Sequence, residues 1–458
     1  MWAVPLERGE RVKAALLSSW FFVTVATFWL LKPVRIATLL AHLGARETPY
    51  VRLAAVGIVA VVVAGYSAIV NRITRVQLVR AANLGFALVL GAFWLAWRVF
   101  GPALEAQRPF VWAIYVMVEL YAVVMIGVFW TYVNDIVTTH ESNRLYGIIG
   151  LGGILGGTFG GAFVDLFARR VGPMNLLLAC AGLVVVCAAL GSLTEKVLAP
   201  PERRHEWRDA GHGAAFAGAR EVMNSRYLTL LVFVVVAYEF TATLSDFGIN
   251  VVFERSFRSE VELTQMYGRL GWIASITAVV SQLVLVPLLL PSKRIALLLP
   301  PFAMIASAVG VVVLPVLATA MILGITDRGL NYSIQQSTWE SLYVPLEAEQ
   351  KYKAKAFIDM FVDRAAKAAA AFVLVALIAA SGASVRTTVT ISVVSALVWI
   401  GSARRLARYW RKGEFTERPS SPERTRPSAS RRSSSEDAAA ERCLPPSPGT
   451  SGGRRTCR

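Results

Sequence analysis

Lys32 and Arg35 flank a proline inside an otherwise apolar stretch, FWLLKPVRIATLL at 28–40. Two cations beside a segment of lipid length are costly unless an acid partner or an anionic solute draws them there. Acids with that capacity occur farther along the chain. Glu119 lies about nine residues, or roughly 14 Å, into one apolar run. Glu239 lies about twelve residues into another, with Asp246 at i+7 on the same helical face. From that depth neither glutamate reaches water easily. Each is either a pathway group or half of a packing ion pair.

Two later runs are more polar. GITDRGLNYSIQQSTWESLY holds Asp327, Arg328, Asn331, Gln335, Gln336 and Glu340. Arg328, Asn331 and Gln335 fall at i, i+3 and i+7, one stripe that should face a cavity or a partner helix rather than lipid. KYKAKAFIDMFVDRAAKAA follows. There Lys355, Asp359, Asp363 and Lys367 step by four into a ladder, with Lys353 and Arg364 beside it. Snorkelling and helix-end salt bridges account for Lys353 and Lys355, but less well for the deeper Lys367. Trp29, Trp130 and Trp339 offer stacking faces, or serve as interfacial anchors.

The elements that must hold these groups are membrane helices. The 458 residues are 55% hydrophobic, with mean hydropathy +0.53. About twelve runs approach the ~20 residues that a bilayer requires, the first at 13–34 and the last at 384–402. The division around Pro315 is the weakest. The predicted class is an all-α polytopic membrane protein. It has a six-helix bundle over 1–194, a cytosolic linker over 195–226, a second six-helix bundle over 227–402, and a disordered basic tail over 403–458. Six plus six spans is the outline of the major facilitator fold. YGIIG at 146–150 and YGRLG at 267–271 open equivalent spans as a faint internal echo.

Net charge is +17, much of it in the Ser/Pro/Arg-rich tail, which reads as a lipid-facing segment rather than a nucleic-acid module. Basic residues such as Arg75, Arg80, Lys293, Lys351 and Lys353 place both termini in the cytosol by the positive-inside rule. Arg46, Arg52 and Arg108 are assigned to outer loops, and Lys32 and Arg35 to the outer end of the first span. Pro33 is expected to kink or end that helix so that they point inward. A bacterial inner membrane and a monomer are the expected setting. The amino terminus lacks a signal-peptide pattern.

The glycines of GIIGLGGILGGTFGG suit close helix packing. No Walker A, H-E-x-x-H or G-x-S-x-G occurs, so neither ATP-driven pumping nor an enzyme is expected, and no cofactor. The four cysteines show no metal-ligand spacing with histidine, and no metal site is expected.

Several stretches together resemble the ATP/ADP translocase family of bacterial endoparasites and plastids, the NTP/NDP exchange transporters, over most of 25–370. They are ELY at 119–121, FW at 129–130, Asn134, ESNRLYGIIGLG from Glu141, RYL at 226–228 and ESLYVPLEAEQKYKAKAFID at 340–359, with Arg364 and Lys367 in register beyond. The resemblance implies nucleotide exchange by alternating access without hydrolysis. The family's basic pair would be Lys32 and Arg35, its transport acids Glu119 and Asp246, and its late lysines Lys353, Lys355 and Lys367. Ile36 stands where the family usually has Asp, and Asp246 where it has Glu. Asn250, Asn331 and Trp339 stand where Lys is frequent, and Gln336 where Asp is. Two other readings remain: a facilitator-type carrier for another organic anion or solute, proton-coupled through Glu119 or Glu239, and a non-transporting membrane protein.

Overall fold

The computed structural model describes residues 8–70, 74–198, 213–382 and 384–413. The expected linker lies partly outside them, and the expected disordered tail lies outside them from 414 onward. Helices account for nearly all the described chain. In lipid a helix satisfies its own backbone hydrogen bonds, and the Leu/Val/Ala-rich runs permit nothing else so cheaply.

The first half comprises α1 (Arg8–His42), α2 (Thr48–Val70), α3 (Arg75–Phe100), α4 (Arg108–Ile136), α5 (Thr139–Val171) and α6 (Pro173–Leu198). After a short linker helix, Gly213–Met223, the second half holds α7 (Arg226–Ser256), α8 (Glu260–Leu289) and α9 (Lys293–Val313). It is completed by α10 (317–342), α11 (348–381) and α12 (Val385–Lys412). Among the described residues, nine helices are long and apolar enough to cross a membrane. Helices α2, α10 and α11 are not among the nine. The last two carry ionisable residues that would be too costly against lipid, so they belong beside a cavity.

Local chemistry sets the boundaries. Thr138 caps α5 by accepting from the Glu141 N–H, while the Glu141 carboxylate accepts from the Thr138 N–H, a reciprocal capping box. Gly382 and Gly413 close α11 and α12 at φ near +70°, a conformation that a side chain resists.

Pro33 does not end its helix. Helix α1 continues through it to His42, so Lys32 and Arg35 sit well inside a long helix rather than at its end. Proline removes one hydrogen bond there, and packing on both sides outweighs that loss. Likewise α12 passes residue 402 and reaches Lys412.

The glycine run of α5 works as a packing surface. Gly152, Gly156 and Gly160 recur every four residues along one face and lie against the α1 backbone at Ser18, Phe22 and Ala26. A methyl group on Gly160 would stand 2.6 Å from the Ala26 carbonyl oxygen. The next glycine, Gly161, turns toward α8 of the other half, where a methyl group would stand 2.8 Å from the Trp272 backbone nitrogen. Small residues at this period let helices approach backbone to backbone.

Candidate functional site: a charged cavity between the halves

A cavity of about 470 Å³ lies between the two halves, within the range of small-molecule sites. From α1 it receives Lys32 and Arg35, and from α4 Glu119. From α7 it receives Glu239 and Asp246, and from α10 Asp327, Arg328 and Asn331. Asp359, Asp363, Arg364 and Lys367 enter from α11. Of the expected polar stripe, Arg328 and Asn331 line the cavity, while Gln335 does not; a π turn at Asn331–Gln335 shifts the register, and buried Gln335 donates to Asn331 Oδ1 at 3.3 Å.

Most of these charges are paired. Arg35 Nη1 lies 2.5 Å from Glu119 Oε1, and its guanidinium stacks over Tyr115 at 4.6 Å. Asp246 holds two arginines, Arg328 of its own half at 2.9 Å and Arg52 of the opposite half at 2.7 Å. Lys367 bridges Asp363 at 2.8 Å and Glu239 at 3.7 Å. Low dielectric makes such pairs necessary, because an isolated charge there would be far costlier.

Two cavity cations stand apart. Among the described residues no carboxylate lies within ion-pair reach of Lys32 or Arg364. Lys32 instead rests over the Trp29 ring at 4.7 Å, a weaker compensation than an ion pair. The Asp327 Oδ1 atom is buried without a hydrogen-bond partner. Acids and bases in the cavity are equal in number, six of each.

Arg52 is a site residue that the sequence does not announce. Its position just after TPYV suggests an outer loop, but α2 begins at Thr48 and carries it inward. The available signal is an arginine one turn into an apolar run. Asn134, Glu340, Lys353 and Lys355 do not line this cavity. Tyr146 donates to Asn134 Oδ1 at 2.7 Å, and Lys355 pairs with Glu340 at 2.6 Å. A π turn at Ile358–Val362 interrupts the four-residue ladder of α11. Among the described residues, the one rung of that ladder that forms an ion pair is Asp363–Lys367.

The halves close on each other at the end where α1 and α5 finish and α8 begins. Buried Asp165 of α5 accepts from Trp272 Nε1 at 2.9 Å and from Arg269 Nε at 3.2 Å, both on α8. Gly271 of α8 lies against the Trp29 ring. At the opposite end, pairs form within each half. Lys13 holds Glu141 at 2.8 Å and Arg144 holds Glu10 at 2.6 Å in the first half; Lys355 holds Glu340 in the second. Partial burial works against the Glu141 carboxylate, but Lys13 and the Thr138 cap outweigh it and hold its pKa below the usual value.

Apolar helices from both halves of the chain around a charged cavity give an integral membrane protein whose fold is like that of major facilitator-type transporters. The solved POT family transporter PepTSo superposes at a TM-score of 0.59 with 11% identity, covering 90% of this chain and 99% of that one. The chain belongs to the TLC ATP/ADP transporter family, whose model matches residues 103–309 and 296–410. It is 24% identical to ADP,ATP carrier protein 2 of Chlamydia pneumoniae over 62% of this chain and 63% of that one. Against ADP,ATP carrier protein 1, chloroplastic, of Arabidopsis thaliana it is 22% identical over 64% of this chain. It spans 53% of that longer relative.

Proposed function

We propose that this protein is a secondary carrier that exchanges or imports nucleotides of the ATP/ADP type by alternating access. The observation that carries this reading is the cavity placement of Lys32 and Arg364. They come from opposite halves and lack acid partners among the described residues, so a polyphosphate could engage both. Charge-assisted hydrogen bonds to phosphate are strong. An anion held by both halves at once would favour their closure around it, which is the differential binding that alternating access requires.

The paired charges serve the empty carrier. Arg35, Arg52 and Arg328 already hold Glu119 and Asp246, so an arriving phosphate would exchange partners instead of meeting bare cations. By this reading the closed end faces outward, the cavity is reached from the cytosol, and both termini are cytosolic. We place the protein in a bacterial inner membrane as a monomer, with the 195–226 linker joining two six-helix domains. Asn134, Glu340, Lys353 and Lys355 would act at the cytosolic mouth.

The equal number of acids and bases favours one alternative: a less charged organic anion, with a proton carried on Glu239. Labelled-nucleotide uptake into proteoliposomes, with and without internal ADP, separates the readings. Uptake dependent on internal nucleotide is expected. Folded protein that neither takes up nucleotide nor is inhibited by it would sink the nucleotide assignment.

A further inference from the structure

Away from the cavity, three side chains with metal-binding chemistry meet at the closed end. They are His42 at the end of α1, Glu105 at the end of the short helix Pro102–Glu105, and Glu260 at the start of α8. His42 Nε2 lies 3.3 Å from Glu260 Oε2 and 3.7 Å from Glu105 Oε2. One ligand atom from each residue lies within 4.8 Å of the other two. The side chains are 23%, 14% and 13% exposed for His42, Glu105 and Glu260, shielded yet within reach of solution.

The arrangement crosses the halves, since His42 and Glu105 belong to the first and Glu260 to the second. Two carboxylates brought together across an interface need a positive partner between them, which either a protonated His42 or a bound cation held by all three residues supplies. The Glu260 carboxylate is already oriented, because Thr38 Oγ1 donates to Glu260 Oε1 at 2.6 Å. That is the outer support a metal-ligating carboxylate commonly has.

The spacing suits a tetrahedral ion. Ligands at about 2.1 Å around Zn²⁺ leave ligand atoms about 3.4 Å apart, near the two distances from His42. One imidazole with two carboxylates suits Zn²⁺ and neighbouring first-row ions, whereas Mg²⁺ and Ca²⁺ prefer all-oxygen shells. We propose that His42, Glu105 and Glu260 form a divalent transition-metal site that ties the two halves together at the closed end. Water would complete the shell. A bound ion would hold that end shut, making the site inhibitory to the transport cycle.

The test uses the full chain in nanodiscs with Zn²⁺ alone, followed by equilibrium binding and thermal unfolding. One saturable equivalent is expected, with a Zn²⁺-dependent rise in unfolding temperature. Glu260→Gln and His42→Gln should each weaken binding at least about tenfold, and Thr38→Val less. Excess Mg²⁺ should not compete. If the α1 or α8 variants fail to fold, Glu105→Gln, which lies on a short connecting helix, carries the same test. Absence of saturable Zn²⁺ binding in the wild type, or undiminished binding in the folded variants, would overturn the proposal.

Discussion

The seam between α5 and α8 and the bridge between Arg52 and Asp246 both join the two halves, but by different means. At the seam, Gly161 and Gly268 bring backbones together; a methyl group on Gly268 would stand 2.8 Å from the Asp165 backbone nitrogen. In the cavity the halves meet charge to charge, at 2.7 Å. The seam tolerates one spacing and no larger side chain. The bridge can be traded for another ion pair, since Arg52 would accept a phosphate in place of Asp246. Specific closure thus comes from shape, and exchangeable closure from charge.

The largest effect should come from a glycine that packs within one half. Gly156→Val places side-chain atoms against the Phe22 carbonyl in a contact no transport state relieves. We expect loss of most folded protein, read as monodisperse yield, since overpacking costs about 1–3 kcal/mol or more. Gly161→Val instead clashes only where the halves close. It should leave yield near wild type while increasing labelling of cysteines introduced along the seam. Equal losses of yield in both variants would erase the distinction between packing within and between halves.

Next in size is Lys32→Gln. Losing one charged hydrogen bond to substrate costs about 1.5–3 kcal/mol, so nucleotide affinity should fall roughly 10- to 100-fold with membrane insertion unchanged. Normal uptake would return Lys32 to a cation parked on Trp29. Arg52→Gln should do less to binding and more to conformation, shifting the carrier toward separation of the halves. Arg328→Gln removes a partner of Asp246 within one half, so it should not produce that shift. Interhelix distances from spin labels would decide between them.

The smallest effect is expected at Glu141, far from either contact. Removing its capping role should cost about 1 kcal/mol of stability. Its carboxyl is held below its ordinary value of 4.5 in the folded protein. Its contribution is therefore complete above that value and declines as pH falls through the lower folded value. The difference in unfolding midpoint between wild type and Glu141→Gln should be present at pH 7 and vanish in strong acid. A difference that grew toward low pH would contradict the Lys13–Glu141 pairing.

Much of this architecture is legible in the sequence, because lipid leaves a chain few options and apolar runs of the right length announce themselves. The crowded glycines of α5 likewise foretell a close helix contact, which α1 supplies. Cavity charges are visible wherever burial depth makes them anomalous, as at Glu119, Glu239 and Asp246. Arg52 gives no such signal, because a cation one turn from a helix start has an ordinary explanation. The course of α1 through Pro33 runs against local backbone chemistry, which disfavours proline inside a helix; only tertiary packing overrides that preference. The His42–Glu105–Glu260 group has no sequence signature, since its members come from three separated segments.

Helices α8, α10 and α11 each contain one widened turn, at Ser281–Leu285, Asn331–Gln335 and Ile358–Val362. Among the described residues, all such turns fall in the second half. A π turn exchanges regular hydrogen bonds for looser ones and is a natural place for a helix to flex. The first half is held by the glycine-seated α1–α5 pair. The molecule is therefore better pictured as a stiff jaw facing a jointed one than as two identical jaws. Much of the motion in a transport cycle would then be bending within the second half's helices rather than rocking of rigid blocks.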